Sequence, residues 1–177
     1  MPALLDDLAG CWQPFPRGRL RSLQRRLGVI VETSPVGPIG ADAADGAVTR
    51  LIWGQGGTLL DGALHAQLRA EMQAYFAGEL TQFATPLAPK GSAFQQAFFA
   101  ALCAIPYGET RTYGDLAHEL DVSAQAIGQA CGANPIAVLI PCHRVLSATG
   151  LGGYSGEGGV EAKVALLRLE GAAGLLI

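Results

Sequence analysis

None of the four cysteines of this 177-residue chain, Cys11, Cys103, Cys131 and Cys142, forms a Cys-x-x-Cys pair, and no histidine pair completes a zinc pattern. Structural zinc is therefore not expected, and a single reactive thiol among structural ones is the chemistry to test. No uninterrupted apolar run approaches the roughly 18 to 20 residues that a membrane span needs. The N-terminal MPALLDDLAG has two aspartates and no basic residues ahead of its apolar ones, so a secretory signal is not expected. Positive charge is not in excess either. The net charge of −3 argues against a broadly basic nucleic-acid binder, while leaving room for a local basic surface. No internal repeat or low-complexity tract occurs. These absences leave a soluble cytoplasmic protein in which disulfides are not expected. Half of its residues are hydrophobic, enough for a sizeable core in one large domain or two small ones.

Residues 1–27 read as a peripheral extension. Arg17, Arg19, Arg21, Arg25 and Arg26 cluster there, either as a solvated segment or as an arm that helps hold an anionic partner. Three strands follow: VIVET from Val29, GPIGADA after a Pro-Gly turn, and AVTRLIWG after Asp45-Gly46. Leu60, Leu64, Leu68, Met72 and Phe76 recur every four positions and mark one face of an amphipathic helix. A small first domain over 28–88 is the expectation, with the remainder, 89–177, mainly helical. Ser92 and Gln95 form a capping box for a helix over 93–104. Thr112 and Asp115 form a second one, ahead of YGDLAHEL. Ser123 caps AQAIGQACGAN, and the two short helices outline a helix-turn-helix. Val160, Val164 and Leu167 mark a last helix that ends near Glu170.

IPCHRV, residues Ile140 to Val145, raises the functional question. The IAVL run before it reads as a buried strand. Cys142 and His143 then stand where that strand emerges, either as incidental turn residues or as an activated thiol. A free cysteine is only a few per cent thiolate at pH 7. An imidazole can raise that fraction by taking the proton, and a carboxylate on its far nitrogen would orient the ring. Glu170 is the candidate for that third member. Side chains adjacent in a strand face opposite ways, so a bend or a bridging water is required. His65 and His118 read as surface residues on other helices. Between Ser147 and Gly159, six of thirteen residues are glycine, with Tyr154 among them, which suggests close approach by a ligand or a hinge.

The string GANPIAVLIPCHRVL, with GGYSG and LLRLEG downstream and FAGEL, IPYGETRTYGDLA and QAIGQACGANP upstream, resembles the O6-alkylguanine-DNA alkyltransferases over roughly residues 28–171. These are also called methylated-DNA–protein-cysteine methyltransferases. The resemblance implies an α+β protein: a small RNase-H-like N-terminal α/β domain, then a mainly helical domain with a winged-helix-like helix-turn-helix and the active cysteine. It implies irreversible transfer of the alkyl group from guanine O6 in double-stranded DNA to the protein's own cysteine, one turnover per molecule, without cofactor or metal, in a monomer. Carried over residue by residue, Cys142 is the acceptor, His143 a water-mediated base and Glu170 its partner. Tyr113 would protonate or hydrogen-bond the guanine, and Asn134 would brace the turn that presents the cysteine. The backbone around Val145 and Ser155 would meet the base edges, Tyr154 would wall the pocket, and Lys163 would support it.

The target base must be flipped out of the duplex. The helix SAQAIGQACGAN is rich in Ala and Gly, which by composition fits either close helix packing or a slim surface. The resemblance favours the second, with Gly128 and Gly132 letting the backbone approach a minor groove. Two departures stand out. The family's intercalating arginine is replaced by Gln125, which lacks the charge and the planar guanidinium. The loop around Tyr154 is one residue shorter before the tyrosine and about two longer after it. A lesion sensor that binds without repairing is the alternative that the missing arginine suggests; a cysteine hydrolase would need an oxyanion element that is not recognisable here.

Overall fold

The computed structural model of the chain describes residues 29–31, 34–54 and 62–172. The arginine-rich segment over 1–27, Cys11 and Leu60 lie outside the described residues. The chain divides into two compact units, 1–90 and 91–177.

In the first unit, β1 (Val29–Val31), β2 (Ile39–Ala44) and β3 (Ala47–Trp53) form an antiparallel sheet in the order β1-β2-β3. Asp45 and Gly46 turn the chain between β2 and β3. Ala43 pairs with Val48 but Asp42 pairs with Arg50, so Thr49 is an extra residue on β3. That bulge shifts the side-chain parity, which lets Val48 and Leu51 both face the core although they are three residues apart. Helix α1 (Gly62–Phe76) packs against β1. Leu64, Leu68 and Met72 are buried as expected, but the next buried residue is Tyr75, and Phe76 is only partly covered. Each four-residue step overshoots a helical turn by about 40°, so the buried stripe recovers its direction with a three-residue step. The connector after α1 runs along β3, where Val48 N donates to Pro86 O at 2.8 Å and Ala88 N to Val48 O at 2.7 Å. Glu71 fastens the same connector by accepting from Thr85 N and Thr85 Oγ1 at 3.0 and 2.8 Å.

The second unit holds α2 (Ala93–Cys103), β4 (Arg111–Thr112), α3 (Tyr113–Glu119), α4 (Ala124–Gly132), β5 (Val145–Leu146) and α5 (Gly159–Leu169). The capping boxes Ser92/Gln95 and Thr112/Asp115 are both complete, and Ser123 Oγ accepts from Ala126 N at 3.1 Å. Each such cap satisfies amides that the helix itself leaves open, at about 1 kcal/mol. Phe98, Phe99 and Leu102 of α2 are fully buried, each contributing roughly 1.5–3 kcal/mol. The turn between α3 and α4 spans Leu120 to Ser123, and the two helices pack on each other. Helix α5 ends at its cap Glu170 as expected; its buried residues are Ala162, Lys163, Leu166 and Leu167, while Val160 is exposed. The structure matches a mixed architecture of helices with a small sheet.

The run Ile136–Leu139 is buried as expected but is not a strand. Asn134 Oδ1 accepts from Ile136 N at 3.0 Å and Asn134 Nδ2 donates to Ile140 O at 2.8 Å. Ile140 N closes back on Ile136 O at 2.9 Å. A side chain that takes up both backbone groups competes with a sheet ladder and folds the segment into a turn. Val138 completes that turn at φ +83°, a strained position for a β-branched residue.

Candidate active site

Pro141 ends the Asn134-braced turn, and Cys142–Arg144 form a single turn of 3-10 helix. This bend answers the strand objection, because consecutive side chains of a tight helical turn no longer point to opposite faces of a sheet. Immediately afterwards β5 pairs in parallel with β4, Arg111 opposite Val145 and Thr112 opposite Leu146. The pairing sets Tyr113, the first residue of α3, beside the segment that follows the cysteine. Helix α5 supplies Lys163 and, at its C-terminal cap, Glu170. Seven residues make about two helical turns, so these two side chains share one face of α5.

Cys142 is 3 % exposed and His143 fully buried. His143 Nε2 lies 2.9 Å from Glu170 Oε1. Glu170 also accepts from Arg144 Nε at 2.8 Å, Arg144 Nη2 at 2.9 Å and Gly108 N at 3.3 Å. Burial alone would raise the Glu170 carboxyl, but the hydrogen bonds from His143 and Arg144 outweigh it and hold it down to about 2. An ionised carboxylate only accepts, so the His143 proton sits on Nε2. Nδ1 is left with its lone pair; it is buried and has no hydrogen-bond partner among the described residues. Burial pushes the His143 pKa below its ordinary value, against the opposing pull of Glu170, so the ring is neutral near pH 7.

Burial works against thiolate formation at the sulfur. Burial pushes the Cys142 thiol up, only partly offset by Asn134's hydrogen bond, Lys163's charge and Ser155. A sequence shows which groups neighbour a thiol but not how far it is removed from water, and here desolvation is the largest effect. Cys131, on the last turn of α4, is raised by burial and by its interaction with Cys142, up to about 12. Asn134 fills its expected bracing role, bonded at both ends of the turn.

Lys163 is fully buried. Its Nζ donates to Val145 O at 2.6 Å, Leu151 O at 2.5 Å and Gly153 O at 3.0 Å. One ammonium thus ties the cysteine segment to the glycine-rich loop. Tyr113 is half-buried, and its hydroxyl is kept protonated by burial, then by Cys131 and Cys142, against a hydrogen bond from the Gly153 backbone. Gly152 stands at φ +69°, and a Cβ there would lie 2.8 Å from Tyr113 Cε2, so the loop can press on that ring only as glycine. Gly108, at φ +78°, likewise leaves no room for a side chain, since a Cβ would lie 2.9 Å from Glu170 O. The Tyr154 hydroxyl is buried and has no hydrogen-bond partner among the described residues, and its pKa is raised by burial and by Cys142. Ser155 is exposed and its Oγ donates to Cys131 O at 3.1 Å.

On α4, Gln125, Gly128 and Gly132 are all exposed, whereas Ile127, Ala130 and Cys131 face inward. A Cβ at Gly128 or Gly132 would meet nothing within 4 Å. The small residues there do not serve close packing. His118 is exposed as expected; His65 is only partly so, with Nε2 buried and without a hydrogen-bond partner among the described residues. Arg144, which carries no role in the sequence reading, holds both oxygens of Glu170. Its adjacency to His143 was the one available signal. Among the described residues no cluster of His, Cys, Asp and Glu could hold a metal ion, and no helix is long and apolar enough to cross a membrane.

Residues 93–172 match the model of the 6-O-methylguanine DNA methyltransferase DNA-binding domain. The methylated-DNA–protein-cysteine methyltransferase of Mycobacterium bovis is 52% identical over 103 residues, which cover 56% of this chain and 61% of that protein. The chain therefore matches about three fifths of that relative's length. The protein of the same name from Mycobacterium leprae is 47% identical over 117 residues, 64% of this chain and 70% of that protein. The crystal structure of Mycobacterium tuberculosis OGT in complex with DNA superposes with a TM-score of 0.69 at 39% identity, covering 81% of this chain and 91% of that one. With the cysteine, histidine and glutamate brought together in that fold, the chain belongs to the methylated-DNA–protein-cysteine methyltransferase family.

Proposed function

We propose that the protein removes the alkyl group from O6-alkylguanine in double-stranded DNA and keeps it on Cys142, once per molecule. The observation that carries this reading is the buried relay in which ionised Glu170 fixes the Nε2–H form of His143 and leaves Nδ1 free to accept, next to Cys142. A neutral thiol and a neutral imidazole are the resting pair. When a flipped guanine covers the sulfur, the thiol proton passes to His143 Nδ1, directly or through one water, and the imidazolium is stabilised by Glu170. The thiolate attacks the saturated alkyl carbon. A carbon–sulfur bond forms, the carbon–O6 bond breaks, and its electron pair stays on the guanine. The Tyr113 hydroxyl, still protonated, lends the departing purine a hydrogen bond or its proton. The thioether is not hydrolysed, so the molecule does not turn over.

The mycobacterial relative crystallised with DNA supports duplex DNA as the partner. The exposed Gly128 and Gly132 fit close approach of the α4 backbone to a groove, with Gln125 in the position of the base-replacing side chain. The α3–turn–α4 pair and the short β4–β5 pairing fit a winged-helix-like DNA-binding unit over 89–177, and the sheet with α1 over 28–88 fits an RNase-H-like one. The protein acts as a cytoplasmic monomer without cofactor or metal. The names of the relatives give no support to a non-repairing sensor. After incubation with O6-methylguanine duplex, the peptide that contains Cys142 should gain one methylene in mass, and Cys142→Ala should abolish the gain. Tight binding without that gain would overturn the proposal in favour of a sensor.

A further inference from the structure

Arg144 occupies both oxygens of the carboxylate that His143 uses. Its Nε and Nη2 fork onto Glu170 Oε2 and Oε1 at 2.8 and 2.9 Å, and its Nη1 is anchored on Ile105 O at 2.6 Å. Oε1 therefore serves His143 and Arg144 together. Arg144 is buried, 7 % exposed, and its Cζ also lies 5.9 Å from the Tyr107 ring centroid. We propose that Arg144 is a positioning residue for alkyl transfer: by sharing the charge of Glu170 it keeps His143 neutral, so that Nδ1 is free to take the Cys142 proton.

The physical argument concerns competition for one negative charge. A buried histidine with a private carboxylate tends to become an imidazolium–carboxylate pair, since an opposite charge within about 4–6 Å favours the charged form. A protonated ring has no lone pair and cannot act as a base. Here the carboxylate is already neutralised by a permanently charged, bidentate partner. What remains for His143 is orientation through Nε2–H without enough field to charge the ring. The groups that bear on the imidazole are Glu170 and Lys163 from α5, Arg144 and Cys142 from its own turn, and burial. Burial, Arg144 and Lys163 all disfavour the imidazolium, and Glu170 alone favours it. The guanidinium makes two of those contributions: its own charge, and its hold on Glu170.

This inference rests on the proposed alkyl transfer, but its first test does not. Arg144→Met removes the fork and the charge at similar volume, and Arg144→Lys keeps the charge but not the fork. In 15N-edited NMR of the full chain, the His143 titration midpoint should rise by at least about one pH unit in the methionine variant and by less in the lysine variant. Single-turnover alkyl transfer from an O6-methylguanine duplex should then fall in Arg144→Met as the pH drops through the raised His143 midpoint, and recover as the pH is raised. A merely structural role would lower the rate by one factor at every pH. An unchanged His143 midpoint in both variants overturns the proposal. Should the methionine variant fail to fold, the lysine variant decides alone, an upward midpoint supporting the proposal and an unmoved one ending it. A wild-type chain that never alkylates Cys142 would defeat the proposed function and leave the NMR result on Arg144 standing.

Discussion

Glu170→Gln should cost the protein stability at neutral pH and remove a specific feature of its acid unfolding. Glu170 is 5 % exposed and accepts from His143, twice from Arg144 and from Gly108. Its carboxyl is held from 4.5 down to about 2, a difference of 2.5 pH units, which at 1.36 kcal/mol per unit corresponds to about 3 kcal/mol. The folded form is the one with the lower pKa, so the contribution is complete above about pH 4.5 and is lost as the pH falls toward about 2. By pH 3 about 2 kcal/mol of it should be gone. Glutamine keeps the shape but leaves the buried Arg144 cation without a counter-charge, for which about 3–5 kcal/mol is the usual cost. Urea unfolding of both proteins at pH 7, 5, 4 and 3 measures the effect. The gap between them should be about 3 kcal/mol or more at pH 7 and narrow by about 2 kcal/mol at pH 3. Other carboxylates titrate in both proteins and cancel in the difference. Parallel stability curves from pH 5 to 3 would refute the placement of an ionised Glu170 at the centre of this network.

Gly128→Ala places a methyl group in open space on a helix, so it should stabilise the fold by about 0.5–1 kcal/mol while weakening duplex binding in a gel-shift titration; weaker folding would contradict the exposed face. Asn134→Ala strips two buried backbone groups of their partner and should cost about 2–4 kcal/mol in chemical denaturation, with slower alkyl transfer by the remaining folded protein. Gln125→Arg should raise the transfer rate on duplex DNA yet barely alter it on free O6-alkylguanine, and equal effects on both substrates would show that residue 125 does not act in base flipping.

Local chemistry was legible where it is encoded within a few residues. Ser92 with Gln95 and Thr112 with Asp115 cap their helices as the spacing predicts, because both partners of each box lie within one turn. Asp45-Gly46 turns the chain between β2 and β3 for a comparable reason. Cys142, His143 and Glu170 were legible as a set only through the resemblance and the logic of a triad, since 27 residues separate His143 from its carboxylate. The IAVL run misled because its apolar pattern describes burial, whereas Asn134 decides its backbone geometry. The resting state of the sulfur was not legible, because desolvation is a property of the assembled fold. Lys163 was expected to support the pocket, but its three carbonyl partners come from two separate segments that no spacing relates. Arg144 escaped for the same reason: its role exists only once α5 delivers Glu170.

The central claim is that one cysteine accepts one alkyl group and stops. Titration of the pure protein with a large excess of duplex carrying isotopically labelled O6-methylguanine measures this directly. Protein-bound label should plateau at one methyl group per chain, with an equal amount of restored guanine in the DNA. Continued release of product beyond that equivalence, or no transfer despite saturated binding, would contradict the account.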